Sequence, residues 1–563
     1  MHDWLSRFDH HFPVRYAAWL ACAVGFLLSA FTWVGFGVGG GWVLVFLLGV
    51  GLGLRDVRQT RHSVLRNYPV IGHLRFLAEF IRPEIRQYFI ENDREAAPFS
   101  RQQRSLVYQR SKGAQDKRPF GTQLDVRAGG YEWINHSLAP TVLPNHDFRI
   151  TVGEGGSSST QPYSASVFNI SAMSFGSLSA NAILALNGGA KRGGFAHDTG
   201  EGSISEHHRV HGGDLIWEIG SGYFGCRAED GKFDADKFAA AACDPQVKMI
   251  EVKLSQGAKP GHGGVLPGPK VSPEIAAARG VPVGEDCISP ASHSAFGTPI
   301  EMLQFIERLR QLSGGKPVGF KLCIGHPWEW FALAKAMLET DLLPDFIVVD
   351  GAEGGTGAAP LEFTDHVGAP LQEGLLLVHN TLVGLNLRHR VKIGCAGKVI
   401  SAFDIARMMA LGADWCNAAR GFMFALGCLQ AQTCHTGHCP TGVTTQDPHR
   451  QRALIVPDKT ERVYRFHQNT LDALKEMVQA AGLSHPHQIS ARHIVRRTSE
   501  QEVKLLANML PFLKPGALLA AARGEIEWPH NVYRVYWPLA NSASFSVTQD
   551  ENFALARSDR VKA

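Results

Sequence analysis

Charge is scarce in this 563-residue chain. Asp, Glu, Lys and Arg make up 19% of it, and the formal net charge is only +4. Globular proteins typically carry ~25% charged residues. So small an imbalance gives no reason to expect nucleic acid as a partner. Cysteine is sparse too, ten residues in all, too few for a disulfide scaffold. No GxGxxG fingerprint or Walker loop stands between a strand and a helix, and no repeat of fixed period is present. A hydrophobic content of 45% excludes wholesale disorder, and 59 glycines point to many tight turns and close backbone approaches.

The longest stretch without charge runs from Tyr16 to Leu54, 39 positions between Arg15 and Arg55. One membrane-spanning helix needs about 20 apolar residues, so the run reads as two spans, about 16–36 and 41–54, broken at Gly39-Gly40-Gly41. Trp19, Trp33 and Trp42 suit the interfaces. Arg7 and Arg15 precede the run, and Arg55, Arg58, Arg61 and Arg66 follow it. The positive-inside rule places both ends, and the body of the chain, in the cytoplasm. The run is too long for the apolar core of a cleaved signal peptide. A two-pass protein of the cytoplasmic membrane is expected. In that reducing compartment, clustered cysteines serve as metal ligands or catalysts.

Four regions follow: the hairpin (1–60), a helical and irregular arm (61–150), a catalytic body (151–450) and a helical tail (451–563). The arm contains a helical segment around Leu74–Glu91 and an Arg-rich stretch at Gln102–Arg118. In the body, short β-rich runs alternate with amphipathic helical patterns. The expected strands are Phe168–Phe175, Leu215–Ser221, Met249–Ser255, Cys287–Pro290, Val318–Ile324, Phe346–Gly351, Val391–Cys395 and Asp414–Ala418. Expected helices include Leu178–Lys191, Pro299–Leu312, Glu329–Glu339 and Ser401–Leu411. Eight strand–helix units over ~250 residues match an α/β protein of the (β/α)8 TIM-barrel class, with an open doubly wound sheet as the alternative.

Barrel chemistry sits at the carboxyl ends of strands, and the unusual residues cluster there. Among them are Ala172–Gly176, Asp198–Gly202, Gln256–Gly261, Lys321, Asp350–Gly357 with Gly354 and Gly355, Gly394–Lys398 and Ala418–Gly421. Barrels often hold phosphate in the loops after strands seven and eight, and Gly397, Lys398, Arg420 and Gly421 suit one. Lys259, Lys321 and Arg279 are more cations than a neutral ligand requires, so an anionic substrate and an anionic, phosphate-bearing cofactor are expected. Cys428, Cys434 and Cys439 place three of the ten cysteines within twelve residues. Such a set binds zinc, with His435 or His438 as a fourth ligand, or an iron–sulfur cluster.

These residues carry a resemblance. Cys428–Gln446, read as C-x5-CH-x3-CPTGVTTQ, resembles the three-iron cluster loop of glutamate synthases. Ala172–Ser179, Thr199–Gly202, Gln256–Gly261 and Gly354–Pro360 are similar to that family's synthase-domain motifs, in the same order. The resemblance covers roughly residues 150 to 480. It implies an FMN-binding barrel with a 3Fe-4S cluster ligated by Cys428, Cys434 and Cys439. It also implies that Gln256, Lys259 and Arg279 hold the carboxylates of 2-oxoglutarate and that Glu201 lies near the imine. Met173 and Ser174 would touch the flavin, and Lys321 would face its polar edge. Two positions of the substrate loop depart from the family pattern: His262 stands where an acid is expected, and Val265 where Gln is expected.

The activity implied is FMN-mediated reduction of 2-iminoglutarate to L-glutamate, an oxidoreductase reaction on a CH–NH2 group. Electrons would arrive through the cluster from a ferredoxin-like protein, a reductase subunit or a membrane carrier. Met1-His2 and the hairpin occupy the end where glutamine-dependent synthases carry an amidotransferase, so nitrogen is expected from ammonia or from a separate amidotransferase subunit. Two alternatives stand beside it. One is a membrane-linked FMN and iron–sulfur dehydrogenase that oxidises an amino or 2-hydroxy acid and passes electrons to a quinone. The other is a zinc-stabilised membrane scaffold without redox chemistry.

Overall fold

A computed structural model describes residues 14–95, 97–154 and 158–547. The chain divides into two units, Met1–Arg101 and Gln102–Ala563.

In the first unit, α1 (Ala17–Phe36) and α2 (Gly40–Arg58) are joined by a turn in which Gly37 and Gly39 take positive φ. A φ of +95° at Gly39 puts the turn in the left-handed region that glycine enters at little cost. The two helices pack closely. A Cβ on Gly49 would stand 2.7 Å from the Cys22 sulfur, and one on Gly25 would stand 2.6 Å from the Phe46 ring. The Trp19 indole N–H donates to the Val50 carbonyl at 3.0 Å. Both helices are long and apolar enough to cross a membrane, and little of either is buried within the protein. After a short helix comes α3 (Gly72–Ile85), which continues into a wider turn at Arg86–Ile90, within the helical segment expected of the arm.

The second unit is built on a closed barrel of eight parallel strands: β1 (Phe168–Ile170), β2 (His197–Asp198), β3 (Leu215–Ile219), β4 (Val247–Lys253), β5 (Val318–Leu322), β6 (Phe346–Asp350), β7 (Lys392–Ala396) and β8 (Trp415–Ala418). Each strand pairs with the next, and β8 closes onto β1 with Cys416 opposite Phe168. The strands are largely buried on both faces, because side chains fill the barrel and helices cover its outside. One of those helices illustrates the local logic. Thr298 caps α5 (Pro299–Leu312) through a reciprocal pair with Glu301, and Pro299 pre-sets the first turn. Met302, Phe305, Ile306 and Leu309 then recur at helical spacing and are buried against the sheet.

Seven of the expected strands and all four expected helices are present, the helices to within two residues. The expected strand Cys287–Pro290 is not in the barrel. Cys287–Ile288 pairs antiparallel with Val265–Leu266 outside it. Ile288 is 60% exposed there, and Pro290 has no N–H to extend a ladder. The vacated place belongs to His197–Asp198, only two residues long and without the β-branched run that marks a strand. Strand Met249–Ser255 is therefore the fourth of the barrel, not the third.

The tail is largely helical. Its longest helix, α6 (Val456–Ala480), lies against α4 (Ala180–Gly193). Contact is tight enough that a Cβ on Gly189 would stand 2.4 Å from Val463. The tail also contributes Ile494–Arg497 and Val503–Leu505, which form a three-stranded antiparallel sheet with Glu132–Ile134 of the arm.

Candidate active site

The carboxyl ends of β2 and β4 bring together an acid and three cations. Glu201 follows β2 in a loop that presses on the loop after β1: a Cβ on Gly200 would stand 2.7 Å from the Ser174 amide nitrogen. Gly200 therefore lets the chain approach Met173 and Ser174, two of the residues assigned to the flavin. Glu201 pairs with Lys253, the last residue of β4, at 2.9 Å, and Ser289 Oγ donates to it at 3.4 Å. The displaced segment around Cys287 thus delivers Ser289 to the site. Burial alone would raise the Glu201 carboxyl, but Lys253, Arg279 and Lys259 outweigh it and hold the group at about 2.

Lys259 and Arg279 are each 5% exposed. Lys259 Nζ donates to the Gly263 carbonyl at 3.3 Å, and burial lowers its pKa. Arg279 donates to the Phe175 carbonyl at 2.9 Å, and its guanidinium lies over the Phe224 ring at 5.2 Å. Its Nε is buried with no hydrogen-bond partner. Neither cation is neutralised by a direct ion pair among the described residues. Gln256 is half-buried in the same loop, which is fixed by the Gly257 N–H donating to Asp350 at 2.7 Å.

Lys321 on β5 lies inside the barrel. Its ammonium pairs with Glu218 of β3 and, at 3.0 Å, with Glu251 of β4. Asp198, Glu218 and Glu251 bring carboxylate oxygens within 4.8 Å of one another. Burial opposes the charge on Lys321, but these acids hold it strongly ionised. Burial and mutual repulsion push Asp198 and Glu251 upward.

The expected phosphate residues separate into two places. Gly354 and Gly355 lie in the loop after β6, and a Cβ on Gly355 would stand 3.4 Å from the Arg420 guanidinium. Arg420 opens the helix after β8 and acts electrostatically on Cys428, while Gly421 is buried behind it against Phe466. Gly397 and Lys398 line a cavity of about 380 Å³ with Glu353, Arg407 and Arg496. The cysteine loop follows. Burial pushes the Cys428 thiol up to about 11, and Cys434 and Cys439 add to that rise. Burial also acts to raise Cys439, but hydrogen bonds from Thr441 and the Thr444 backbone bring it down to about 7, toward the metal-binding thiolate. The Cys428 carbonyl accepts from Tyr108 at 2.6 Å, and the Cys434 carbonyl from Lys270 at 3.1 Å.

The conserved region of glutamate synthase matches residues 153–484. The chain belongs to the glutamate synthase family. It is 37% identical over 500 residues to the glutamate synthase large subunit-like protein YerD of Bacillus subtilis, covering 81% of this chain and 94% of that one. It is 34% identical over 339 residues to an archaeal-type glutamate synthase [NADPH] of Thermotoga neapolitana, covering 60% of this chain and 64% of that one. Against the glutamate synthase [NADPH] large chain of Bacillus subtilis, identity is 32% over 341 residues, 59% of this chain but 21% of that one. As a glutamate synthase-type protein, the chain is an oxidoreductase acting on CH–NH2 donors.

Lys253, Ser289, Glu218 and Glu251 are members of the site that the sequence reading left out; Asp198, named there in its loop, joins Glu218 and Glu251 inside the barrel. Glu218 and Glu251 had a signal: each is an acid in the middle of an apolar strand. Ser289 had none, because it reaches Glu201 from a distant loop.

Proposed function

We propose that the protein reduces 2-iminoglutarate, formed from 2-oxoglutarate and ammonia or a partner-supplied amine, to L-glutamate. One observation carries this reading: two buried cations, Lys259 and Arg279, stand beside an ionised carboxylate, Glu201. A dicarboxylate bearing a cationic imine is complementary to that arrangement. Lys259 and Arg279, with Gln256, hold the substrate carboxylates by charge-assisted hydrogen bonds, which fixes the reacting carbon. Glu201, held at about 2, is a carboxylate at neutral pH; its role is to stabilise the positive imine, not to donate a proton. Lys253 pairs with it at 2.9 Å.

The residues fit the expected cofactors. Glycines in the loop after β6 and the approach of Gly355 to Arg420 would leave room for the phosphate of an anionic flavin, FMN, with Met173 and Ser174 beside it. His435 and His438 are exposed. Cys428, Cys434 and Cys439 would hold a 3Fe-4S cluster, which takes three thiolates and no histidine. When bound, the two groups supply single-electron entry and two-electron delivery to the substrate carbon.

The α1–α2 hairpin anchors this chemistry to the cytoplasmic membrane, with both ends inside. That anchor keeps the alternative of electron exchange with a membrane carrier in play, whether a donor for synthesis or a quinone accepting from amino- or hydroxy-acid oxidation. Assays of the detergent-purified chain decide between them. Turnover of 2-oxoglutarate and ammonium with a reduced donor supports synthesis, whereas quinone reduction by glutamate alone supports oxidation.

A further inference from the structure

Among the described residues, the helix α3 carries an exposed apolar face. Leu74, Leu77, Ile81 and Ile85 recur at steps of three and four, so they share one side, and all are exposed; Leu74 is 62% and Phe80, at the edge of the stripe, 78% exposed. Arg75, Arg82 and Arg86 follow one another along the adjoining side. A helix of fourteen residues with its apolar face in water is marginal, and a contiguous exposed apolar patch marks a binding surface. What that surface meets is indicated by where the helix begins. Asp56, in the last turn of α2, is 2% exposed. Its carboxylate accepts from the Val70 N–H at 3.0 Å and meets His73 Nε2 at 3.0 Å. The first turn of α3 is therefore tied to the arginine-bearing end of the second apolar helix, beside Arg55 and Arg58.

We infer that α3 lies in the plane of the cytoplasmic membrane surface, with its apolar face among the acyl chains and its arginines among anionic phospholipid headgroups. The inference rests on reading α1 and α2 as membrane spans. Continuity is the physical argument: a helix latched to the cytoplasmic end of a span starts at headgroup depth, and an apolar stripe edged by arginines is the pattern that stays there. The Asp56 latch fixes the register of that entry.

The test uses the full chain in vesicles of phosphatidylcholine and phosphatidylglycerol. A photo-reactive benzophenone amino acid replaces Phe31 on α1, Leu77, Phe80 or Glu79 in turn, and lipid adducts are counted by mass spectrometry. The expected result is adducts at 31, 77 and 80, at least about tenfold above those at 79. Adducts at 31 with only protein or water products at 77 and 80 overturn the inference and leave the spans standing. Lipid adducts at 77 and 80 without any at 31 support the surface helix and overturn the spans. Absence of lipid adducts at all three overturns both. The pair L77E and F80E, made together with the probe at Ile81, should lose its lipid adduct while the probe at Phe31 keeps its own.

Discussion

Glu201→Gln tests the electrostatics of the barrel mouth most sharply. Three cations hold the Glu201 carboxyl at about 2, against an ordinary value of 4.5. At ~1.36 kcal/mol per unit, that difference amounts to about 3 kcal/mol of stability at neutral pH. The side chain is only 16% exposed, so solvent screening trims the figure modestly. The folded-state value lies below the unfolded one. The stabilisation is therefore complete above pH 4.5 and lost as pH falls toward 2, with roughly half gone by pH 3. Glutamine keeps the volume and removes the charge, leaving Lys253, Lys259 and Arg279 without their counter-charge. The thermal midpoint of the detergent-purified variant should fall by a few degrees at pH 7, and its gap to wild type should narrow steadily below pH 4.5. Turnover should drop by about 10²–10³-fold, as expected for the loss of a preorganised charge at the reacting centre. A variant as stable and as active as wild type at pH 7, or a stability gap independent of pH, would refute the reasoning.

Other substitutions separate the remaining roles. Lys259→Ala should abolish turnover of 2-oxoglutarate with flavin content unchanged; simultaneous loss of FMN would assign Lys259 to the cofactor instead. Lys321→Met leaves Asp198, Glu218 and Glu251 without their buried cation and should cost about 3–5 kcal/mol, read from the urea midpoint, with Glu218→Gln in the same chain restoring part of it. Cys434→Ala should remove the iron and its EPR signal while leaving the flavin spectrum; unchanged iron would place the cluster elsewhere.

The barrel is readable in the sequence wherever a strand is long enough to carry its own pattern. Val318–Leu322 and Phe346–Asp350 are five-residue buried runs flanked by amphipathic helices, and such alternation admits few topologies. His197–Asp198 is legible only once the barrel is closed, because two residues have no period. Cys287–Ile288 carries the reverse error, a local β signal with no place in the sheet. The same division runs through the site. Lys259 and Glu201 stand in glycine-marked loops whose composition betrays them, and Arg279 ends the short helix Pro273–Arg279 just before Gly280. Lys253 and Ser289 gain their meaning from a partner, Glu201, that is 52 and 88 residues away in sequence and in contact only in the fold. The strands of the tail are of this kind as well, since Ile494–Arg497 becomes a strand by pairing with Glu132–Ile134.

The most direct measurement of the proposed chemistry is a single reductive cycle. Detergent-purified full-length protein, with FMN and iron quantified, is reduced anaerobically by dithionite, cleared of excess reductant and mixed with 2-oxoglutarate and ¹⁵N-ammonium. The expected result is reoxidation of the flavin band with formation of an equal amount of ¹⁵N-labelled glutamate. A flavin that stays reduced with both substrates present, or a protein holding zinc and no flavin, would contradict the proposed function while leaving the barrel intact.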